Sequence, residues 1–207
     1  MYVPKHFEEN REEEIKRIIE NYPLATLVGN TKNGIVANHI PLILYKSFHS
    51  KKILIGHIAR ANKLHEELKY DDNVMVIFKS EDAYISPNWY PTRNNKKEHV
   101  PTWNYQSVHL YGKISFNNKK KFLLKTVKEL TSIFEKSKNK TDWKMNDVSS
   151  EYMSSMLKEI IGFEISISKQ IAKSKLSQNR EKEDVQNVIK ELKNNGYTFL
   201  SNSMNKL

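Results

Sequence analysis

The sequence predicts an α+β protein: an antiparallel β-barrel of about six strands, decorated by helices. Three observations carry that expectation. Short runs rich in apolar and β-branched residues fill most of the chain up to Phe116. Helical periodicity takes over after Phe116. The regular alternation of strand and helix that marks a doubly wound parallel sheet is missing.

The elements follow in order. Glu8 to Tyr22 reads as a helix, because Ile15, Ile18, Ile19 and Tyr22 recur at helical spacing and acids crowd the first turns. Pro23 ends it. Leu24 to Gly29 and Ile35 to Tyr45 are apolar runs around Asn30-Thr31-Lys32-Asn33-Gly34, whose Asn-Gly is a hairpin signal. Lys51 to His57 reads as a further strand, and Ala61 to Lys69 as a short helix with Leu64 and Leu68 four apart. Val74 to Lys79 and Ala83 to Ser86 read as two strands about an acidic turn. Residues 87 to 104 form a Pro- and aromatic-rich loop, and Tyr105 to Phe116 a long strand. Helices are expected over Lys119 to Glu135, Ser149 to Glu159 and Glu181 to Asn194, with a strand over Ile160 to Ile167. Ser177 or Asn179 is the expected cap of the last helix and Gly196 its stop.

Composition bounds the function. A chain of 207 residues makes one large domain, or one with a small appendage. Zero Cys excludes disulfides, thiolate catalysis and Cys-ligated metal. No apolar run approaches the ~18 residues of a membrane span, and Met1-Tyr2-Val3-Pro4-Lys5-His6-Phe7-Glu8 has no apolar signal core. A cytoplasmic protein is expected. The net charge is +10, of which residues 117–145 carry +6 and residues 1–116 only +3. The Lys-rich stretch 119–144 therefore reads either as a solvated helix face or as a surface for DNA or another polyanion. With 29 Lys and five Arg, the composition gives little support to sequence-specific base readout.

Three segments carry chemistry. Gly56-His57-Ile58-Ala59-Arg60-Ala61-Asn62-Lys63-Leu64 sets two cations and an amide at a strand-to-helix junction, which suits either a phosphate cradle or a capped surface helix. Ile85-Ser86-Pro87-Asn88-Trp89-Tyr90-Pro91, Val100-Pro101-Thr102-Trp103-Asn104-Tyr105 and Val108-His109-Leu110-Tyr111-Gly112 form an aromatic set that suits a planar ligand or a dimer interface. Lys175-Leu176-Ser177-Gln178-Asn179-Arg180 reads as a helix cap in a basic context. His39, His57, His65, His99 and His109 show no metal-binding pattern, and no GxSxG, P-loop or GxGxxG occurs. Neither a metal site nor a catalytic side chain is expected.

These segments, with Met1-Tyr2-Val3-Pro4-Lys5-His6-Phe7, resemble the PaiB family of FMN-binding negative transcriptional regulators over nearly the whole chain. The resemblance implies a six-stranded FMN-binding split barrel with an N-terminal helix, a short inserted helix and C-terminal helices, related to pyridoxamine-phosphate oxidases. It implies a split-barrel domain over 1–170 and a helical extension over 171–207 packed on it. It also implies a homodimer with FMN at the subunit interface, linked to repression of protease and sporulation genes. By position, His57, Ile58, Ala59, Arg60, Asn62 and Lys63 would hold the phosphate. Asn38, His39, Ile40 and Pro41 would line the isoalloxazine edge, and Trp103, Asn104 and Tyr105 would close the partner's site. One departure stands out: the oxidases carry a basic pair where this chain has neutral Asn38, His39 and Pro41. The alternatives are a flavin-dependent oxidoreductase and, third, a haem-binding split barrel, which needs an axial ligand although no His follows His109.

Overall fold

The computed structural model describes residues 1–46, 52–95, 99–136 and 143–206. Residues 137–142 of the Lys-rich stretch, 96–98 of the aromatic loop and Lys51 at the expected strand start lie outside them. The chain divides into two compact units: Pro23–Ile77 with Leu110–Gln170, and Met1–Tyr22 with Phe78–His109 and Ile171–Leu207. No helix among the described residues is long and apolar enough to cross a membrane.

The first of these units holds the sheet. It carries β1 (Leu24–Thr31), β2 (Gly34–Pro41), β3 (Ile43–Lys46) and β4 (Lys52–Ala59), and its share of β5 (Asn73–Ile85), β6 (Thr102–Asn117) and β7 (Ile160–Lys175). The order is β2-β1-β5-β6-β7-β4-β3 in a single antiparallel sheet. It has seven strands, not the expected six.

Two local effects redraw the expected strands, one dividing a run and the other joining two. The run from Ile35 to Tyr45 is broken at Leu42, next to Pro41, which has no N–H to continue a ladder. Leu42 is fully buried and its N–H bonds Pro23 O at 2.9 Å. Because β2 and β3 are the two outermost strands yet only Leu42 separates them, the sheet closes on itself at this corner. Gly56 on β4 makes the corner possible, since a Cβ there would meet Leu42 Cδ2 at 2.5 Å and Pro41 O at 3.1 Å. The second effect reduces the count: the residues read as an acidic turn continue β5 as one strand through Ser80, Glu81 and Asp82.

The β1–β2 hairpin forms, with Lys32 and Asn33 as its loop residues and Gly34 opening β2 opposite Thr31. Gly34 takes φ +108°, and Thr31 Oγ1 accepts from Asn33 N at 3.1 Å and donates to Gly34 O at 3.0 Å. Three helices join this unit: α2 (Leu64–Glu67), α3 (Lys120–Lys136) and α4 (Ser150–Lys158). Buried Leu123, Thr126 and Leu130 mark the inner face of α3, and Leu130 packs on Ile43, Ile53 and Ile55. Lys121, Lys125 and Lys128 stay exposed on its other side. Ser149 caps α4 by accepting Tyr152 N–H at 3.2 Å.

The other unit holds α1 (Glu12–Asn21), α5 (Lys182–Asn194), α6 (Thr198–Met204) and the remaining parts of β5, β6 and β7. Its core joins Ile85 and Tyr90 to Leu176, Val188, Leu192, Leu200 and Met204. The N-terminal helix starts at Glu12 rather than Glu8, because the preceding residues serve β7: Glu8 bridges Lys173, and Glu9 bonds Ser174 and Arg11. β7 itself runs on to Lys175, well past the expected Ile167. Gly196 stops α5 at φ +83°, as expected. The expected cap fails: Glu181 precedes α5 without a side-chain cap, while the Ser177 hydroxyl is engaged with Asn104.

Candidate functional site

The strand-to-helix junction after β4 is built from three residues with different duties. Arg60 closes the turn between α4 and β7. Its N–H bonds Glu159 O at 2.7 Å, its Nε donates to Lys158 O at 2.5 Å and its Nη2 to Ile160 O at 3.1 Å. The positive guanidinium thus sits on the carbonyl end of α4, where the helix dipole favours a cation. Five N–H donors exceed what two carbonyls use, so the head retains donors for an anion.

Asn62 joins two elements. Its Oδ1 accepts from Leu64 N at 3.0 Å, and its Nδ2 donates to Asn38 Oδ1 on β2 at 2.9 Å. Lys63 lies exposed and pairs with Glu66 at 3.3 Å, a contact of little energetic weight in solvent. Since α2 is a single turn of four residues, its dipole is small and the fixed charges of Arg60 and Lys63 dominate the junction.

Strand alternation sorts the other candidates. Ile40 and Ile58 are core residues. His39 is exposed, opposite Thr26, with Nδ1 and Oγ1 3.1 Å apart. Pro41 and Ala59 are exposed at strand ends. His57, opposite Gly162, keeps a buried Nδ1 with no partner, and burial pushes its pKa down so that the imidazole is neutral. The unit therefore gathers Asn38, Asn62, Arg60 and Lys63 at one junction and leaves an unsatisfied acceptor or donor at His57. A cleft of about 460 Å³, lined among others by Asn30, Met75, Tyr111 and Ser168, contains none of these residues.

Trp103, Asn104 and Tyr105 belong to the other unit. Asn104 is fully buried and exchanges hydrogen bonds with Ser177 at 3.0–3.1 Å. Trp103 is half exposed, edge-on to Tyr84 with centroids 5.9 Å apart. The aromatic loop is held from the C-terminal side. Thr92 Oγ1 lies 2.8–2.9 Å from both carboxylate oxygens of buried Asp184 and 2.8 Å from His99 Nε2. Arg180 Nη1 faces His99 Nδ1 at 3.3 Å. With Arg180 donating to Nδ1, the chain of donors runs from Arg180 through His99 and Thr92 to Asp184. Sequence reading did not find these partners, because Asp184 looks like an ordinary first-turn acid of a helix.

The chain matches, over residues 1–169, the sequence profile of a family described as a putative FMN-binding domain. It is 36% identical over 198 residues to protease synthase and sporulation protein PAI 2 of Bacillus subtilis, covering 94% of this chain and 90% of that one. Its fold is similar to that of the flavocytochrome Anf3 from Azotobacter vinelandii, at a TM-score of 0.59 and 13% identity over 89% of this chain and 78% of the other. It is also similar to an FAD and haem binding protein from Mycobacterium smegmatis, at 0.57 and 14% identity over 86% and 78%.

Proposed function

The chain belongs to the family of putative FMN-binding domains, and on that premise we propose that it is a cytoplasmic, dimeric FMN-binding protein of the PaiB type that acts as a negative transcriptional regulator. The observation that carries the flavin reading is the junction where Asn62 ties β2 to the start of α2 beside Arg60 and Lys63. A phosphate monoester carries nearly two negative charges at neutral pH, and the junction offers two cations and amide groups within one short segment. The unsatisfied His57 Nδ1 also fits a ligand with polar ring edges. FMN would supply a planar, redox-active ring; in a regulator that ring is a sensed or structural ligand.

The residues of the chain divide the work. Arg60 and Lys63 neutralise the phosphate, Asn38 and Asn62 fix the distance between β2 and the junction, and Trp103 with Tyr105 closes the site of the second subunit. Asn104 holds that closing strand from inside. The exposed lysines of α3, Lys121, Lys125 and Lys128, supply the surface for DNA phosphates.

Titration of the purified protein with FMN and with riboflavin tests the flavin part. FMN is expected to bind at least about tenfold more tightly, since a charge-assisted phosphate contact contributes roughly 1.5–3 kcal/mol. Equal affinities would remove the phosphate role. A shifted promoter fragment whose affinity falls steeply with salt, less steeply after the three α3 lysines are replaced, tests the regulator part. No shift at low salt would remove it.

A further inference from the structure

Residues 173 to 175 of β7 alternate between faces. Ser174 points inward: it is 1% exposed, donates to Glu9 Oε2 at 2.8 Å and accepts from Gln106 Nε2 at 2.8 Å. Glu9 is fully used there, because Arg11 also bonds it through its backbone N–H, Nε and Nη2. Lys173 and Lys175 point to the opposite face, away from that carboxylate.

Neither lysine has an ion-pair partner among the described residues. Lys173 is only 8% exposed, yet its Nζ meets just the Tyr2 carbonyl at 3.4 Å and the rings of Tyr105 and Tyr2, with centroids at 5.3 and 5.9 Å. Lys175 Nζ donates to Thr102 Oγ1 and, at 2.6 Å, to Trp103 O, and stands 5.8 Å from the Phe7 ring centre. All these acceptors are neutral. A covered ammonium normally has a carboxylate at ion-pair distance; here the exposed Glu8, opposite Lys173 in the bridge, is the carboxylate of that face, and it pairs with neither lysine. Burial, then Lys173 and Arg180, push the Lys175 pKa down, a strain that a bound anion would relieve.

We infer that Lys173 and Lys175 form a phosphate site, which takes the phosphate monoester of a small aromatic molecule. The charge matches, two ammonium groups against nearly two negative charges. The donors suffice, because each ammonium has three N–H groups and the neutral acceptors use one on Lys173 and two on Lys175. The ring specificity comes from Tyr2, 82% exposed, and Trp103, 52% exposed. These residues all belong to the unit of Met1–Tyr22, Phe78–His109 and Ile171–Leu207, and the proposal does not rest on the flavin reading. The phosphate can belong to FMN or to another phosphorylated aromatic compound.

The test is calorimetric titration of the full chain with phenyl phosphate, using phenol as the uncharged probe. Wild type is expected to bind phenyl phosphate and not phenol. Lys173→Met and Lys175→Met keep the apolar stems and are expected to weaken binding about tenfold or more, while Lys173→Arg retains most of it. Circular dichroism shows that each variant is folded, and the less deeply buried Lys175 supplies the test if Lys173→Met does not fold. Affinity unchanged in a folded methionine variant, or equal binding of phenol, overturns the site. A repeat at saturating FMN identifies the source. Competition assigns the phosphate to flavin, and undiminished binding assigns it to a second compound; both support the site.

Discussion

Asn62 Nδ2 donates to Asn38 Oδ1 at 2.9 Å, and this one bond joins the start of α2 to β2. The same Asn62 holds Leu64 N–H through Oδ1, so its amide is used at both ends. Asn62→Ala should therefore cost about 1–2 kcal/mol and lower Tm by several degrees. Asn62→Asp behaves differently: its carboxylate still accepts from Leu64, and a flipped Asn38 amide can donate to it. That variant should melt near wild type but bind FMN at least about tenfold more weakly, because a negative charge now faces the phosphate. Thermal melting and flavin titration check the two halves separately, and an Asn62→Asp protein with unaltered FMN affinity would exclude Asn62 from the phosphate site.

Arg60 is expected to show two separable losses. Arg60→Ala removes the bonds to Lys158 O and Ile160 O, which should cost about 1 kcal/mol in the absence of any ligand. The loss of FMN affinity comes on top of this and is measured well below the melting transition. Arg60→Lys keeps the charge but not the planar fork. It should recover more of the FMN affinity than of the stability. The opposite pattern would mean that Arg60 serves only the turn between α4 and β7.

Much of this architecture was legible in the sequence, and the exceptions have physical causes. Asn33-Gly34 marked its hairpin, although the loop residues are Lys32 and Asn33 and the positive φ falls on Gly34 at the first position of β2. Ser149 named the start of α4 because its hydroxyl is the cap. The corner at Leu42 was hidden, since apolar residues on both sides of Pro41 look like one strand and only tertiary closure breaks them apart. The helix Thr198–Met204 was missed because Thr, Ser and Asn dominate it and its stability comes from burying Leu200 and Met204. At the junction, residue types suited a phosphate cradle and a capped surface helix alike, and no local signal shows that Arg60 reaches the carbonyls of a segment about a hundred positions later.

Ser177 and Asn104 make a sharper test of the C-terminal segment. Ser177 holds φ +63°, a conformation that costs a non-glycine residue roughly 1 kcal/mol, and its hydroxyl satisfies a fully buried amide. Ser177→Ala keeps the strain and leaves Asn104 short of a partner, so a loss of about 1–3 kcal/mol is expected. Ser177→Gly also loses the hydroxyl but relieves the backbone, and should cost roughly 1 kcal/mol less. Denaturant unfolding of both variants checks the order. If glycine is the more damaging, the strained backbone is not what sets the energy at this position.

Acid should destabilise the fold in two stages. Burial holds the pKa of His57 below its ordinary 6.5, and burial with the positive N-terminus does the same to His109. Below about pH 6.5 the unfolded chain gains protons at these positions that the folded chain refuses, so stability falls as pH drops through the folded-state values. Glu9 and Glu14 act lower down. Burial opposes their ionisation, but the Arg11 bonds to Glu9 and the Arg17 bonds to Glu14 outweigh it, with help from Ser174 and Gln106, and both pKa values end below the ordinary 4.5. Their contribution is complete above about pH 4.5 and is lost as pH falls through the depressed values. Melting temperature should thus be level from about pH 8 to 7, decline gently below 6.5 and steeply below 4.5. His57→Asn, which carries no titrating charge, should shrink the first decline and leave the second unchanged. A Tm that is flat between about pH 7 and 5 in the wild type would mean that both imidazoles accept protons in the folded state.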